Sequence, residues 1–159
     1  MAATRTLMIL INSTYSDAGR GAAELVRQLS PRSTTATVVT LSGGLGAGKT
    51  TFAQGVAKAL GVEEPVTSPT FVIQKIYELE GQQFSHLIHI DAYRLNPPAG
   101  GAHELEMLGW KELCADSGNL ILVEWPENVA ELIPEDAIRI RFDIHGDERT
   151  ISINGEEKE

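Results

Sequence analysis

The chain has 159 residues, 42% of them apolar and 22% charged, the balance of a soluble globular domain that buries about 70% of its unfolded surface. Thirteen Lys and Arg against 22 Asp and Glu give a net charge of −9, with the acidic excess heaviest after Ala102, which disfavours unaided binding to nucleic acid or to an anionic membrane. The single cysteine, Cys114, excludes an internal disulfide and a cysteine metal cage and favours a reducing compartment.

Residues 7–11 (Leu-Met-Ile-Leu-Ile) read as a strand. The run is too short to span a bilayer and lacks a signal-peptide cleavage pattern, so no membrane association and a cytoplasmic location are expected. Residues 12–17 (Asn-Ser-Thr-Tyr-Ser-Asp) offer N-caps for a helix over about 17–29, with Ala18, Ala22, Leu25, Val26 and Leu29 facing inward. Residues 30–33 form a loop, and residues 37–41 (Thr-Val-Val-Thr-Leu), β-branched and apolar, read as a buried strand.

That strand runs into Gly43-Gly44-Leu45-Gly46-Ala47-Gly48-Lys49-Thr50, a glycine, four residues, then Gly-Lys-Thr. Phe52, Val56, Ala59 and Leu60 follow at helical spacing and Gly61 suits a stop. Strand, glycine loop and helix N-terminus together form a phosphate cradle: the glycines aim backbone N–H groups inward and the helix adds its positive dipole end. Gly43 to Thr51 are therefore the candidate nucleotide-binding residues, namely Gly43, Gly44, Leu45, Gly46, Ala47, Gly48, Lys49, Thr50 and Thr51. Lys49 is expected to reach the β- and γ-phosphates, where one charge pair about 4 Å apart gives roughly 4 kcal/mol of raw attraction at an effective dielectric near 20. Thr50 is expected to offer its hydroxyl to Mg²⁺.

Pro65 and Pro69 keep residues 62–71 extended. Residues 72–79 and 84–90 read as a hairpin around Glu80-Gly81-Gln82-Gln83, and residues 96–101 (Asn-Pro-Pro-Ala-Gly-Gly) as a flexible connector. Leu105, Leu108 and Leu113 predict a helix over 103–113 with Gly109 as its weak point. Residues 119–125 (Asn-Leu-Ile-Leu-Val-Glu-Trp) predict an apolar strand that delivers the carboxylate of Glu124 at its end, the pattern of a second, metal-holding motif. Residues 137–144 and 149–153 alternate as an antiparallel pair around His145-Gly146-Asp147. His89 reads as a packed strand histidine, His86, His103 and His145 lack metal-ligand spacing, and Cys114 reads as structural. These elements predict an α/β fold of the P-loop NTPase type: a mainly parallel central sheet flanked by helices, with antiparallel edge strands, one domain over residues 1–154 and a disordered acidic tail at 155–159.

Five blocks in order give the chain a family resemblance: Gly43 to Phe52, Ser68-Pro69-Thr70-Phe71, His89-Ile90-Asp91-Ala92-Tyr93-Arg94-Leu95, Glu104-Leu105-Glu106-Met107-Leu108-Gly109 and Val123-Glu124-Trp125-Pro126-Glu127. The chain resembles the TsaE (YjeE) family of small bacterial ATPases of tRNA threonylcarbamoyladenosine synthesis. The resemblance implies ATP and Mg²⁺ as cofactors, with Thr50 and Glu124 as metal partners, Thr70 as a switch-type threonine, Asp91 as the residue that positions or activates water, and Trp125 and the region of Asp17 as nucleotide contacts. It also implies TsaD and TsaB as partners, with tRNA met only through their complex. Plainer readings stand beside these: Thr70 capping a turn after Pro69, Asp91 and Arg94 in a surface ion pair, and Trp125 in the core. The sequence departs from the family at Gly44, where an acidic residue is usual, and at Asp17, near which a threonine is usual.

On this reading the chain is a Mg-ATPase that resets a tRNA-modifying assembly rather than performing the transfer. It is weak alone, because no arginine finger is poised in the chain, and it is stimulated by its partners. A small-molecule P-loop kinase would need a basic lid, yet residues 96–102 contain no Arg or Lys. A GTPase would need an Asn-Lys-x-Asp element, which is missing. A non-hydrolytic, nucleotide-gated binding module is the remaining alternative.

Overall fold

The computed structural model describes residues 6–12, 15–66, 73–95, 101–146 and 148–154. Seven strands form one sheet in the order β1-β7-β6-β2-β5-β4-β3. These are β1 (Thr6–Asn12), β2 (Thr37–Ser42), β3 (Gln74–Glu78), β4 (His86–Asp91), β5 (Asn119–Glu124), β6 (Ile138–His145) and β7 (Glu148–Asn154). The four central strands, β6, β2, β5 and β4, run parallel. Antiparallel pairings add β3 at one edge and β7 then β1 at the other. The predicted α/β class and antiparallel edges are thus found, and the C-terminal pair extends the parallel centre through β6.

Helices α1 (Tyr15–Gln28) and α2 (Lys49–Ala59) cover one face. There Phe52, Val56, Leu25 and Ala22 pack on Leu41, Leu87, Leu120 and Leu122. Helices α3 (Gly101–Met107) and α4 (Trp110–Cys114), with a 3-10 helix over Pro126–Leu132, cover the other face. Leu105, Trp110 and Val129 pack there on Val38, Ile88, Ile90, Ile121 and Val123. Successive residues of β5 therefore enter opposite cores and every one is buried, which is why its sequence is a continuous apolar run rather than an alternation.

The helix predicted over 103–113 is two helices. Gly109 takes φ 90° and caps α4, so the chain turns between Met107 and Trp110. A left-handed residue is easy for glycine and ends the helical hydrogen-bond ladder. Leu105 and Leu113 pack against the same core, whereas Leu108, in the turn between the two helices, is 38% exposed. The hairpin is present but shorter than expected, since Ile73 takes φ 68° and β3 begins at Gln74. Among the described residues no helix is long and apolar enough to cross a membrane. The predicted acidic tail at 155–159 and most of the connector at 96–101 lie outside the described residues.

Cys114 closes α4, and burial pushes its thiol up to about 11. At pH 8 the folded protein should hold little thiolate, and alkylation by iodoacetamide should accelerate about tenfold per pH unit up to pH 10, because the thiolate is the nucleophile. Urea-unfolded chain should react at the faster rate of an ordinary thiol near pH 8.5. Equal rates for folded and unfolded chain at pH 8 would contradict the placement.

Candidate nucleotide-binding site

β2 ends at Ser42, residues 43–48 turn, and α2 begins at Lys49. The loop lies on the strand beside it: Gly43 takes φ 153°, and a Cβ added there would lie 2.7 Å from the Phe142 carbonyl oxygen and 2.9 Å from Phe142 Cβ. Gly44 has open space and an ordinary φ. The position therefore has room for a side chain without strain on the backbone.

Parallel pairing brings two acids to this loop. Leu41 pairs with Glu124, and Asp91 pairs with Glu124, so the last residues of β4 and β5 sit side by side where β2 enters the loop. Both carboxylates are buried, Asp91 4% and Glu124 2% exposed. Asp91 Oδ1 accepts the Tyr93 backbone N–H at 3.0 Å; the residue is interior, not set on the surface. Thr50 Oγ1 approaches the two carboxylate oxygens of Glu124 at 3.4 and 3.5 Å, long for an O–H···O bond. His89 Nε2 meets Glu124 Oε2 at 2.7 Å.

Lys49, only 5% exposed, folds inward. Its Nζ donates to the Gly43 carbonyl at 2.5 Å and the Gly44 carbonyl at 2.9 Å, and lies 4.2 Å from the centroid of the Trp125 ring. The ammonium is held by loop carbonyls and an indole face. Burial lowers its pKa, opposed by the charges of Glu124, Glu127 and Asp91. Trp125 adopts φ 60° immediately after β5, and its ring meets that of Tyr93 at a tilt of 53° with centroids 5.0 Å apart. It is half-buried, packing in part against the core and in part lining the cleft.

A cleft of about 410 Å³ joins these groups. Leu45, Gly46, Gly48, Lys49, Thr50 and Thr51 line it from the loop and α2, and Asp91, Tyr93, Glu124 and Trp125 from the strand ends. Thr70 lies outside the described residues, as does the side chain of Asp17, whose backbone is in the first turn of α1. Tyr93 and His89 were given no role by sequence reasoning. The strand period held the signal for His89, since residues two apart in β4 share a face and His89 is two before Asp91.

Hydroxyl and carboxylate oxygens at Thr50 and Glu124, with Asp91 beside them, are hard donors suited to Mg²⁺. Among the described residues no three His, Cys, Asp or Glu side chains form a metal cluster.

A glycine loop between a central parallel strand and a helix, with acids ending the neighbouring strands, is the strand–loop–helix unit of the phosphate-loop class of α/β folds. The family model described as "Threonylcarbamoyl adenosine biosynthesis protein TsaE" matches residues 16–151. The tRNA threonylcarbamoyladenosine biosynthesis protein TsaE of Streptomyces coelicolor is 44% identical over 120 residues, 76% of this chain and 77% of that protein. Its namesake from Borreliella burgdorferi is 34% identical over 119 residues, 74% of this chain and 81% of that protein. The crystal structure of YdiB from Bacillus subtilis superposes with a TM-score of 0.71 at 29% identity, covering 98% of this chain and 89% of that one. The chain belongs to the TsaE family, whose members serve tRNA threonylcarbamoyladenosine biosynthesis.

The contrast between the first two loop glycines is testable. Gly43→Ala should cost about 1–3 kcal/mol of stability by overpacking against β6. Gly44→Ala should stay within about 0.5 kcal/mol of the parent. Urea unfolding of the two variants side by side measures both, and equal losses would mean that contact with Phe142 does not set the loop.

Proposed function

We propose that the chain is a Mg²⁺-dependent ATP-binding and ATP-hydrolysing component of the threonylcarbamoyladenosine machinery, acting with TsaD and TsaB rather than performing the transfer itself. The observation that carries this reading is the loop 43–48 at the N-terminus of α2, opposed by Asp91 and Glu124 at the ends of β4 and β5.

Backbone N–H groups of the loop and the first turn of α2 bind the phosphates, whose negative charge the helix dipole favours. Lys49 exchanges its carbonyl bonds for phosphate oxygens; its buried setting makes that charge pair stronger than it would be in water. Because Trp125 lies against Lys49 Nζ, it contacts the γ-phosphate end of the nucleotide rather than the base. Thr50 and Glu124 would hold Mg²⁺, which would supply positive charge to offset that of the phosphates. Asp91 accepts a hydrogen bond from the attacking water and orients it toward the γ-phosphorus.

Among the described residues lining the cleft Lys49 is the only cation. Those residues offer one positive charge for the charge that develops in transfer, and slow turnover of the isolated protein is expected on this reading. A cation supplied by the partners would contribute about 10³–10⁵ in rate. Because tRNA is met through the partners, the acidic net charge of −9 is no obstacle.

The test is ATP binding and steady-state hydrolysis with Mg²⁺, alone and with the TsaB–TsaD pair, for the parent, Lys49→Met and Asp91→Asn. Lys49→Met should lose ATP binding. Asp91→Asn should still bind ATP, while its partner-stimulated rate falls by roughly 10²-fold or more. Unchanged turnover in Asp91→Asn, or a parent protein that binds no ATP, would sink the reading.

A further inference from the structure

His89 is 1% exposed and sits on β4, opposite Leu122 of β5. Asp91 is paired with Glu124 on the same two strands. Because residues two apart share a face, His89 lies one step below Asp91 and diagonally across from Glu124, within reach of a long side chain. It uses that reach: Nε2 and Glu124 Oε2 are 2.7 Å apart.

The rest of the ring is unengaged in hydrogen bonding. His89 Nδ1 is buried, and among the described residues it has no hydrogen-bond partner. A histidine kept for packing would be expected to satisfy its nitrogens, since buried polar atoms are nearly always paired. Here the one bond the ring makes goes to the carboxylate that faces Thr50. A carboxylate accepts, so Nε2 is the donor in this contact.

We propose that His89 is a positioning residue: its Nε2–H holds Oε2 of Glu124 so that Oε1 is presented beside the Thr50 hydroxyl for a divalent cation. The proposal rests on the reading of Thr50 and Glu124 as the Mg²⁺ site. The ring is what distinguishes the two oxygens: Oε2 meets Nε2 at 2.7 Å, whereas Thr50 Oγ1 lies 3.4 Å from Oε1 and 3.5 Å from Oε2, so Oε1 is the oxygen left with its lone pairs for a cation. A buried glutamate freed from His89 could rotate about its side-chain torsions and would lose that presentation. Ligating carboxylates are commonly fixed in this way by a neighbour that never touches the metal.

The experiment uses the full chain and the non-hydrolysable analogue adenylyl imidodiphosphate. Its Kd is measured by calorimetry in EDTA and again with Mn²⁺, and the ratio of the two reports how strongly metal and nucleotide are coupled. His89→Met should reduce the ratio by about 10–100-fold while leaving the Kd in EDTA within about threefold of the parent. His89→Gln places an amide N–H near the position of Nε2 and should recover most of the ratio, whereas His89→Asn, whose amide falls short, should not.

Circular dichroism confirms folding of each variant; if His89→Met does not fold, the Gln and Asn pair carries the comparison. A parental ratio in His89→Met, or equal ratios for Gln and Asn, would overturn the positioning role. A Kd in EDTA that weakens along with the Mn²⁺ value would show a general structural role instead. Thr50→Val and Glu124→Gln separate the two levels of the argument. If neither changes the ratio, the metal site itself is misassigned, and His89 falls with it for that reason alone.

Discussion

Parallel strands end on the same side of a sheet, and the pairing of β2, β5 and β4 turns that rule into a site. The register Leu41 to Glu124 and Glu124 to Asp91 sets the loop and two acids on one line. A one-residue slip of β5 would send Glu124 to the opposite face and bring a neighbouring apolar residue into its place. What holds the register is burial on both faces, since every residue of β5 is buried and alternate residues enter separate cores. The chemistry at the strand ends is thus fixed by apolar packing several residues away.

Within that frame the fold tolerates an unusual concentration of buried polarity. Lys49, His89, Asp91 and Glu124 are each no more than 5% exposed, in a region where unpaired charge is costly. They meet one another's needs in part: the ring of His89 serves Glu124, the Tyr93 N–H serves Asp91, and loop carbonyls with the Trp125 face serve Lys49. The lowered pKa of Lys49 shows that the compensation is incomplete, desolvation outweighing three nearby carboxylates. Groups held this way gain more from an incoming anion or cation than the same groups would in water.

What could be read from the sequence was local. The loop from Gly43 to Thr50 is legible because a phosphate cradle demands particular residue types at particular spacings, and β5 and the C-terminal pair are legible because burial writes its period into the chain. The break at Gly109 was seen only as a weak point, since a left-handed residue leaves the spacing of Leu105, Leu108 and Leu113 intact. The 3-10 helix over Pro126–Leu132 went unassigned, as it depends on the turn that Trp125 makes at φ 60°. The partner of His89 was out of reach for a different reason. Its bond to Glu124 depends on the relative register of two strands separated by the whole of α3 and α4.

The sheet order has a consequence for how the molecule assembles. Within the sheet, among the described residues, β1 pairs with β7 alone, with Thr6 beside Asn154, so β1 cannot take its place in the sheet until β7, far later in the chain, has been made. Every element that lines the cleft lies between those two in sequence. Pairing between such distant parts of a chain raises contact order and slows folding, and without β1 the outer edge of β7 would be unpaired, the kind of surface that recruits a strand from another chain. The strand that covers that edge lies at the border of the sheet away from the cleft.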